Sequence, residues 1–167
     1  MPLLDIVIYP DPVLRERALP VTQIDDEIQS LINNMILTMY VAPGIGLAAP
    51  QVGVSSRIFV VDISSGRDPD QLLVLINPEI VSAEGEIINT EGCLSVPGFQ
   101  EKVARAASVE VRGLDHQGKE VSHRGDDLLA GAFQHEIDHL NGKLFFDHLG
   151  KIKRDLLKSK LKKALKP

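Results

Sequence analysis

Residues 126–142 have the sequence DDLLAGAFQHEIDHLNG, and the centre of this stretch is the pattern His-Glu-x-x-His. Each residue of an α-helix turns the chain by about 100°, so His139 returns to within about 40° of His135. Glu136 lies on the same arc of the helix. Two neutral imidazoles on one face can hold a metal ion while the carboxylate lies beside its water, as in zinc-type hydrolases. The pattern therefore predicts a helix that carries a metal site.

The flanks of this pattern support a buried helix. Apolar residues occupy nearly every face of the stretch, which is typical of a helix in the core. Asp126 or Asp127 is expected to cap its start, and Gly142 to follow its last turn. Buried histidines need partners, and a metal ion would meet that need. The alternative is that both histidines are hydrogen-bonded core residues and that Glu136 is exposed.

Length and composition indicate one globular domain over residues 1–167. The chain is 44% hydrophobic and 25% charged, and it has no apolar run of the 18 or so residues that a membrane span needs. Residues 1–10 lack the basic start of a signal peptide and contain Asp5. A single cysteine excludes an intramolecular disulfide and fits a reducing compartment. We therefore expect a cytoplasmic protein with neither a membrane nor DNA as partner.

The charge is unevenly distributed along the chain. Residues 151–167 carry eight lysines and arginines against one aspartate, whereas the preceding 150 residues carry ten basic and 22 acidic groups. In this tail Ile152 and four leucines fall on one helical face, with lysines on the other, and the leucines are expected to pack on the body. The pattern predicts a basic, amphipathic C-terminal helix with a task of its own, a solvated surface helix being the simpler alternative.

The remaining elements predict an α+β fold. A helix is expected over residues 24–40, with Thr22 as its N-cap and Asp25 as a capping-box partner. Residues 44–51, GIGLAAPQ, are small and interrupted by glycine, which favours a loop. Short β-type runs occupy residues 57–62, 72–76, 79–83, 86–89, 102–106 and 108–114, and a turn at 115–118 leads into one more. We expect mostly antiparallel β-sheets packed around the central HExxH helix, with an N-terminal helix and a C-terminal amphipathic helix.

A catalytic metal typically takes three protein ligands, so a third must be found. No glutamate follows Glu136, and His148 is expected to lie on the surface beyond the helix. Cys93, the only cysteine, follows a glycine in the segment EGCLS, which is expected to be a loop after a strand. A lone cysteine is more often a small buried hydrophobe. A Cys/His/His site is nevertheless chemically sound, and a thiolate would also suit iron(II).

Three segments in this order, GIGLAAPQ (44–51), EGCLS (91–95) and QHEIDH (134–139), resemble the three motifs of peptide deformylases. The similarity covers most of the chain, and the spacing resembles the bacterial type with a C-terminal helix. The resemblance implies removal of the formyl group from the N-formylmethionine of nascent peptides. Three motifs together are far more specific than HExxH alone.

The resemblance also implies roles for individual residues. Cys93, His135 and His139 would bind the metal, iron(II) in cells, with zinc, nickel or cobalt as substitutes. Glu136 would be the general acid/base, and Gln51 with the backbone N–H of Leu94 would stabilise the developing oxyanion. Metal coordination, proton transfer and an oxyanion hole are together a sound physical basis for amide hydrolysis.

Substrate contacts are expected along the glycine-rich segments. Gly46 and Gly92 leave space for a peptide backbone to approach and pair in extended form. The methionine side chain would enter an apolar pocket near Ile45 and Leu128, beside Gly131 and Ala132, where larger residues are common in the family. Arg105 is expected either to pair with Glu91 beneath the loop or to be an exposed strand residue. The family's ribosome docking by the C-terminal helix would assign phosphate contacts to Lys151, Lys158, Lys162 and Lys166.

Two other functions compete with deformylation. A zinc endopeptidase lacks support, because no further downstream ligand follows the HExxH pattern and a cysteine completes the site. A ribosome-associated binding module would hold a purely structural metal. A fourth protein ligand would favour that module, whereas Gln51 and Glu136 facing an open position would favour catalysis.

Overall fold

The computed structural model describes residues 3–164 of the chain. Within this range the backbone forms three α-helices and seven β-strands, together with several short 3₁₀ turns. The helices are α1 (Asp26–Val41), α2 (Leu128–Leu140) and α3 (Lys151–Ala164). The strands are β1 (Gly46–Ala48), β2 (Ile58–Val61), β3 (Leu73–Glu84), β4 (Ile87–Cys93), β5 (Val96–Arg105), β6 (Ser108–Leu114) and β7 (Glu120–Asp126). The predicted α+β class is confirmed.

The strands of the described residues form two antiparallel sheets. A five-stranded sheet has the order β1-β2-β3-β6-β7, and a two-stranded sheet consists of β4 and β5. Residues 72–76 and 79–83, predicted as two strands, belong to the single strand β3, whose register shifts after Ile76 and after Ile80. The predicted turn at 115–118 is confirmed, since Asp115 N donates to Lys119 O between β6 and β7.

Strand β2 explains why the large sheet lies between two helices. All four of its residues are buried, and successive side chains of a strand point to opposite faces. Phe59 and Val61 pack in the cluster that contains Phe133 and Ile137 of α2. On the other face, Ile58 and Val60 pack with the apolar face of α1, which comprises Ile32, Met35 and Met39. The HExxH helix is thereby held rigidly against one face of the sheet.

Several predicted boundaries and caps are wrong. Helix α1 begins at Asp26, and the Asp25 carboxylate caps it by accepting from Ile28 N, so Thr22 is not the cap. Helix α2 begins at Leu128 without a side-chain cap, because Asp127 has a φ of 53° and Asp126 lies in β7. Gly142 follows α2 with a φ of 75°, as expected of a C′ residue.

The segment GIGLAAPQ is also not the expected loop. Gly46–Ala48 pairs with β2 as an edge strand, and residues 49–52 form a 3₁₀ turn. Small side chains allow this strand to lie close to α2, with Leu47 and Ala48 fully buried. The glycine-rich segment is thus ordered structure at the edge of the sheet.

Helix α3 packs on a third cluster, which lies around β5 and the 3₁₀ turn at 145–148. Leu157 and Leu161 are buried there against residues that include Val103 and Phe146. Leu156 is 56% exposed, so the prediction that the leucines of this helix pack on the body is wrong for Leu156, and Ile152 is 85% exposed. Leu165 lies outside the described residues. Within residues 3–164 there is no helix with the length and apolar character of a membrane span.

Candidate metal centre and catalytic cleft

Strand β4 and helix α2 bring the predicted metal ligands together. Cys93, at the end of β4, places its Sγ 3.3 Å from Nε2 of His139. Two residues earlier on the same strand, Glu91 contacts His135. Nε2 of His135 lies 3.2 Å from Nε2 of His139. Two residues of a strand span about 6.8 Å and four residues of a helix about 6 Å. Successive contacts between β4 and α2 therefore have nearly the same spacing on both elements. EGC is strand rather than the expected loop, and this spacing depends on it.

The three donor groups meet the requirements of a transition-metal site. One ligand atom from each of Cys93, His135 and His139 lies within 4.8 Å of the others, and this is the only such cluster among the described residues. Thiolate and imidazole donors suit iron(II) or zinc. Nε2 atoms of two imidazoles in contact need a shared proton or a cation between them. Donor type, number and convergence therefore fit a bound divalent metal.

Glu91 and Arg105 fix the orientation of His135. Glu91 Oε1 lies 2.9 Å from Nδ1 of His135, which leaves Nε2 to face Cys93 and His139. Burial lowers the pKa of His135, but contacts with Cys93 and Glu91 outweigh it and raise this pKa well above the ordinary value. Burial, together with the charge of His135, lowers the pKa of His139 well below its ordinary value. A carboxylate behind a ligating histidine is the usual way to fix its tautomer.

A wider polar network supports this carboxylate. Arg105 donates from Nε and Nη2 to Glu91, each at 2.8 Å, and from Nη1 to Asp138 at 2.6 Å. Nε2 of His148 lies 2.7 Å from the same Asp138 oxygen. Burial raises the pKa of Glu91, but hydrogen bonds from Arg105 and His135 outweigh it and bring the value to about 2. The expected Arg105–Glu91 pair is confirmed, and it is buried.

Asp138 and His148 have roles that the sequence analysis did not find. Asp138 occupies an unspecified position of the HExxH pattern. A carboxylate on α2, facing an arginine on a strand, is the signal that could have predicted its ion pair with Arg105. His148 does lie beyond the helix and on the surface, as predicted, and its ring contacts Asp138 and Arg105. Both residues belong to the support of His135 and not to the cluster of ligand atoms.

Glu136 is buried beside the ligands without a partner for one of its oxygens. Its side chain is on α2, 4% exposed, and Oε1 has no hydrogen-bond partner among the described residues. A Cβ at Gly46 would lie 2.5 Å from the other oxygen, so β1 approaches this carboxylate closely only because residue 46 is glycine. Burial, opposed by His135 and aided by Glu91, raises the pKa of Glu136 to about 7. Such a group can both accept and donate a proton near neutrality.

Gln51 is held with its amide N–H directed at the ligand cluster. Its Oε1 accepts from Ala48 N at 3.0 Å, and its Nε2 lies 3.4 Å from Cys93 Sγ and 3.3 Å from Ser95 Oγ. Ser95, which is fully buried, is another residue that the sequence analysis missed, in addition to Asp138 and His148. Leu94 lies between Cys93 and Ser95 in the turn that joins β4 to β5. A polar donor and this turn therefore border one side of the cluster.

An open cleft of about 680 Å³ leads to these groups. Ile45 and Gly46 line one wall, Gly92 the opposite wall, and Leu128 with neighbouring residues of α2 the floor. His135, Glu136, Gln51, Cys93 and Leu94 also line it. The structure thus brings the predicted catalytic and substrate-binding residues, together with Cys93 and His135, to one cleft. His139 is buried and completes the ligand cluster without lining the cleft.

The lysines assigned to the tail lie apart from this cleft. Lys151 and Lys162 are exposed on α3. Lys158 is half-buried, and its ammonium lies 6.0 Å from the ring centre of Phe146. Lys166 lies outside the described residues. The exposed basic groups are accompanied by the exposed side chains of Ile152 and Leu156.

Comparisons with known proteins agree with this geometry. A model of the polypeptide deformylase family matches residues 3–155. A peptide deformylase of Hydrogenovibrio crunogenus is 52% identical over 165 residues, which is 99% of this chain and 96% of that protein. A crystal structure of a peptide deformylase from Legionella pneumophila superposes with a TM-score of 0.92 at 48% identity, covering 99% of this chain and 100% of that one. The enzyme from Ehrlichia chaffeensis in complex with actinonin has a TM-score of 0.92 at 38% identity, with both chains fully covered.

Proposed function

This chain belongs to the peptide deformylase family, and we propose that Cys93, His135 and His139 form the metal centre at which it works. It is an enzyme that removes the formyl group from N-formylmethionine at the start of nascent polypeptides and releases formate. The observation that carries the assignment of the site is the convergence of these three donors beside a buried carboxylate at the bottom of an open cleft.

The metal is proposed to be iron(II) in cells, with zinc, nickel or cobalt as substitutes. The soft sulfur of Cys93 and the two imidazoles support a borderline divalent ion rather than magnesium or calcium. A divalent metal held by these residues would lower the pKa of water and polarise the formyl carbonyl group. Glu91 supports the site by fixing the ring of His135, with Arg105 behind it.

Glu136 is proposed to move the proton. Its unpartnered oxygen is buried, and the residue lines the cleft beside His135, where it can accept a proton from the attacking water and return it to the leaving amine. The carboxylate cannot swing away through β1, because the backbone at Gly46 lies against it. A general base of this kind typically contributes about 10²–10⁴-fold to the rate.

Gln51 and the backbone N–H of Leu94 are proposed to stabilise the negative charge that develops on the formyl oxygen when the formyl carbon is attacked. The anchoring of Gln51 Oε1 on Ala48 N supports this role, because it leaves Nε2 as the group that faces the cluster. Because such a donor is already held in position, it need not reorganise when the charge develops. One donor typically contributes about 10²–10³-fold to the rate.

The peptide substrate is proposed to lie along the edge strand β1. The outer edge of β1 is unpaired among the described strands, and Ile45 and Gly46 border the cleft there. An extended peptide can add to such an edge through main-chain hydrogen bonds. Gly92, on the opposite wall, and Leu128, on the floor, complete the contacts that we assign to the first substrate residue.

A purely structural metal is a weaker alternative. Among the described residues the cluster contains three protein ligands, whereas a closed structural site takes four. Gln51 and Glu136 both line the cleft together with Cys93 and His135, which supports catalysis over a closed structural site. An endopeptidase is opposed by the family membership of the chain.

Docking on the ribosome through α3 is proposed from charge. Exposed Lys151 and Lys162, with half-buried Lys158 and with Lys166 beyond the described range, belong to a tail of opposite charge to the rest of the chain. Cationic groups on one helix suit the phosphates of RNA, and such binding weakens steeply with salt. We accordingly place the enzyme in the cytoplasm, where nascent formylated chains emerge.

An anaerobic assay on formyl-Met-Ala-Ser tests the proposed chemistry. Formate release in step with the metal content of the same sample is the expected result. Cleavage of an internal peptide bond in a longer unformylated peptide, without formate release, would instead identify an endopeptidase. Full metal content with no hydrolysis of either substrate would instead support a purely structural role for the metal.

A further inference from the structure

The contacts between β4 and α2 repeat at a fixed spacing, and the third of them involves Asn89. Cys93 faces His139 and Glu91 faces His135, so the alternation of the strand directs Asn89 to the next helical turn, at Gly131. A Cβ at Gly131 would lie 2.9 Å from Nδ2 of Asn89. The first two contacts hold metal ligands, whereas the third has no side chain on the helix.

The amide of Asn89 is directed into the cleft without a partner. Asn89 is half-buried, and within residues 3–164 its side-chain amide makes no hydrogen bond. Its neighbours on the cleft floor, Leu128 and Ala132, are apolar. The amide is accessible to solvent in the open cleft, so an apolar side chain that displaces the solvent would leave it unpaired, which is costly. A group that enters the cleft can supply that partner.

The first side chain of a formylated peptide can reach this amide. Gly131 lies one helical turn, about 6 Å, from His135. The formyl carbon must react beside the ligand cluster, and the first side chain branches from the chain two bonds away. With bonds of about 1.5 Å, a methionine-length side chain extends about 5 Å from its Cα. Its end therefore comes to the level of Asn89.

We propose that Asn89 is a specificity-determining residue, which lets the cleft accept a neutral polar first side chain of methionine length as well as methionine. Glutamine and methionine sulfoxide have this chemistry, since each carries a hydrogen-bonding group near its end. An asparagine amide both donates and accepts, so it can satisfy either. An acidic side chain is disfavoured by the nearby carboxylates of Glu91 and Glu136. The inference rests on the proposed deformylase function.

The test compares kcat/KM for formyl-Met-Ala-Ser with that for the corresponding formyl-Gln and formyl-methionine-sulfoxide peptides. In Asn89→Leu, the ratio of polar to methionine substrate is expected to fall about fivefold, the factor that one neutral hydrogen bond supplies. Gly131→Ala is expected to lower the same ratio, because its Cβ displaces the amide of Asn89. Ile88→Leu is the matched control, since this neighbour on β4 is 63% exposed on the other face and the ratio is expected to stay constant.

The outcomes distinguish a failure of the proposed role of Asn89 from a failure of the proposed deformylase function. A lower ratio for both polar peptides supports recognition of neutral polar side chains in general. A lower ratio for one peptide alone shows that Asn89 recognises only that side chain, glutamine or methionine sulfoxide. Unchanged ratios in both variants, with formyl-Met-Ala-Ser still hydrolysed, overturn the role of Asn89 and leave the deformylase function intact. If the metal-loaded wild type hydrolyses none of the formyl peptides, the proposed function fails and the inference falls with it.

Discussion

Glu91 Oε1 lies 2.9 Å from Nδ1 of His135, while Nε2 of the same ring lies 3.2 Å from Nε2 of His139. The imidazole is thus oriented from behind by a carboxylate that Arg105 itself holds with two hydrogen bonds. This order of contacts links the surface residue His148, through Asp138 and Arg105, to the metal centre. The three proposed ligands are therefore supported by a polar network that is mostly buried.

Replacing any one of the three proposed ligands is expected to remove metal and activity together. Cys93→Ala, His135→Ala and His139→Ala each leave two donors, too few to hold a divalent ion at the open site. Metal analysis beside the formate assay checks this. Full metal occupancy in Cys93→Ala would disprove the third ligand. Cys93→Asp is expected to favour zinc over iron, because a hard carboxylate replaces a soft thiolate.

Removing Arg105 is expected to weaken both the fold and the metal site. Arg105→Met leaves the carboxylates of Glu91 and Asp138 without their buried cation, a loss that typically costs about 3–5 kcal/mol. Metal affinity is expected to fall by about 10–100-fold, as is typical when the support of a ligating histidine is lost. Urea unfolding and chelator competition measure the two effects.

Arg112→Met is the control for this prediction. Arg112 lies 3.7 Å from Glu79, and both side chains are more than half exposed. An exposed pair of this kind contributes at most about 1 kcal/mol. Equal effects of the two substitutions on stability and metal binding would show that the Arg105 network has no special role.

Gly46→Ala is expected to lower kcat without loss of metal. The new Cβ would lie 2.5 Å from Glu136 Oε2, so the carboxylate must shift from its position beside the ligands. Gly150→Ala is the matched control, because a Cβ there has no heavy atom within 4 Å and its φ is not in the left-handed region. Unchanged turnover in Gly46→Ala would mean that the position of this carboxylate is not critical.

Charge reversal on α3 is expected to separate ribosome binding from catalysis. Lys151→Glu combined with Lys162→Glu changes exposed residues only and leaves Leu157 and Leu161 packed on the body. Co-sedimentation with ribosomes is expected to be lost, while hydrolysis of a short formyl-peptide stays nearly constant, since cation–phosphate contacts dominate such binding.

Reversal of Lys119 and Lys143, which are exposed elsewhere, alters the net charge equally and provides the control. Ribosome binding that survives reversal on α3, or that never depended on salt, would leave α3 as a structural helix.

The residues of the site could be predicted from the sequence more completely than the boundaries of the helices and strands that carry them. The HExxH helix was predicted because residues four apart share a helical face whatever the tertiary context. The pairing of Arg105 with Glu91 was one of two alternatives, since a strand pattern does not say which side is covered. Asp138 and His148 were missed because their contacts depend on how α2, β5 and the turn after α2 meet.

Other errors have local physical causes. GIGLAAPQ was predicted as a loop because glycine and small residues are poor strand formers, but pairing with β2 overrides this propensity. Thr22 was preferred as a cap, whereas Asp25 lies one residue before the first helical position. The leucines of α3 were predicted to pack on the body, yet the body covers Leu157 and Leu161 and leaves Leu156 exposed.

The most direct test of the proposed mechanism is the turnover and metal content of Glu136→Gln. Glutamine is similar in size to glutamate but cannot act as a base, so the metal is expected to stay bound while kcat falls by about 10²–10⁴-fold. Single-turnover kinetics ensure that chemistry is the step observed. A fall of less than tenfold, with full metal occupancy and chemistry rate-limiting, would contradict the assignment of Glu136 as the group that moves the proton.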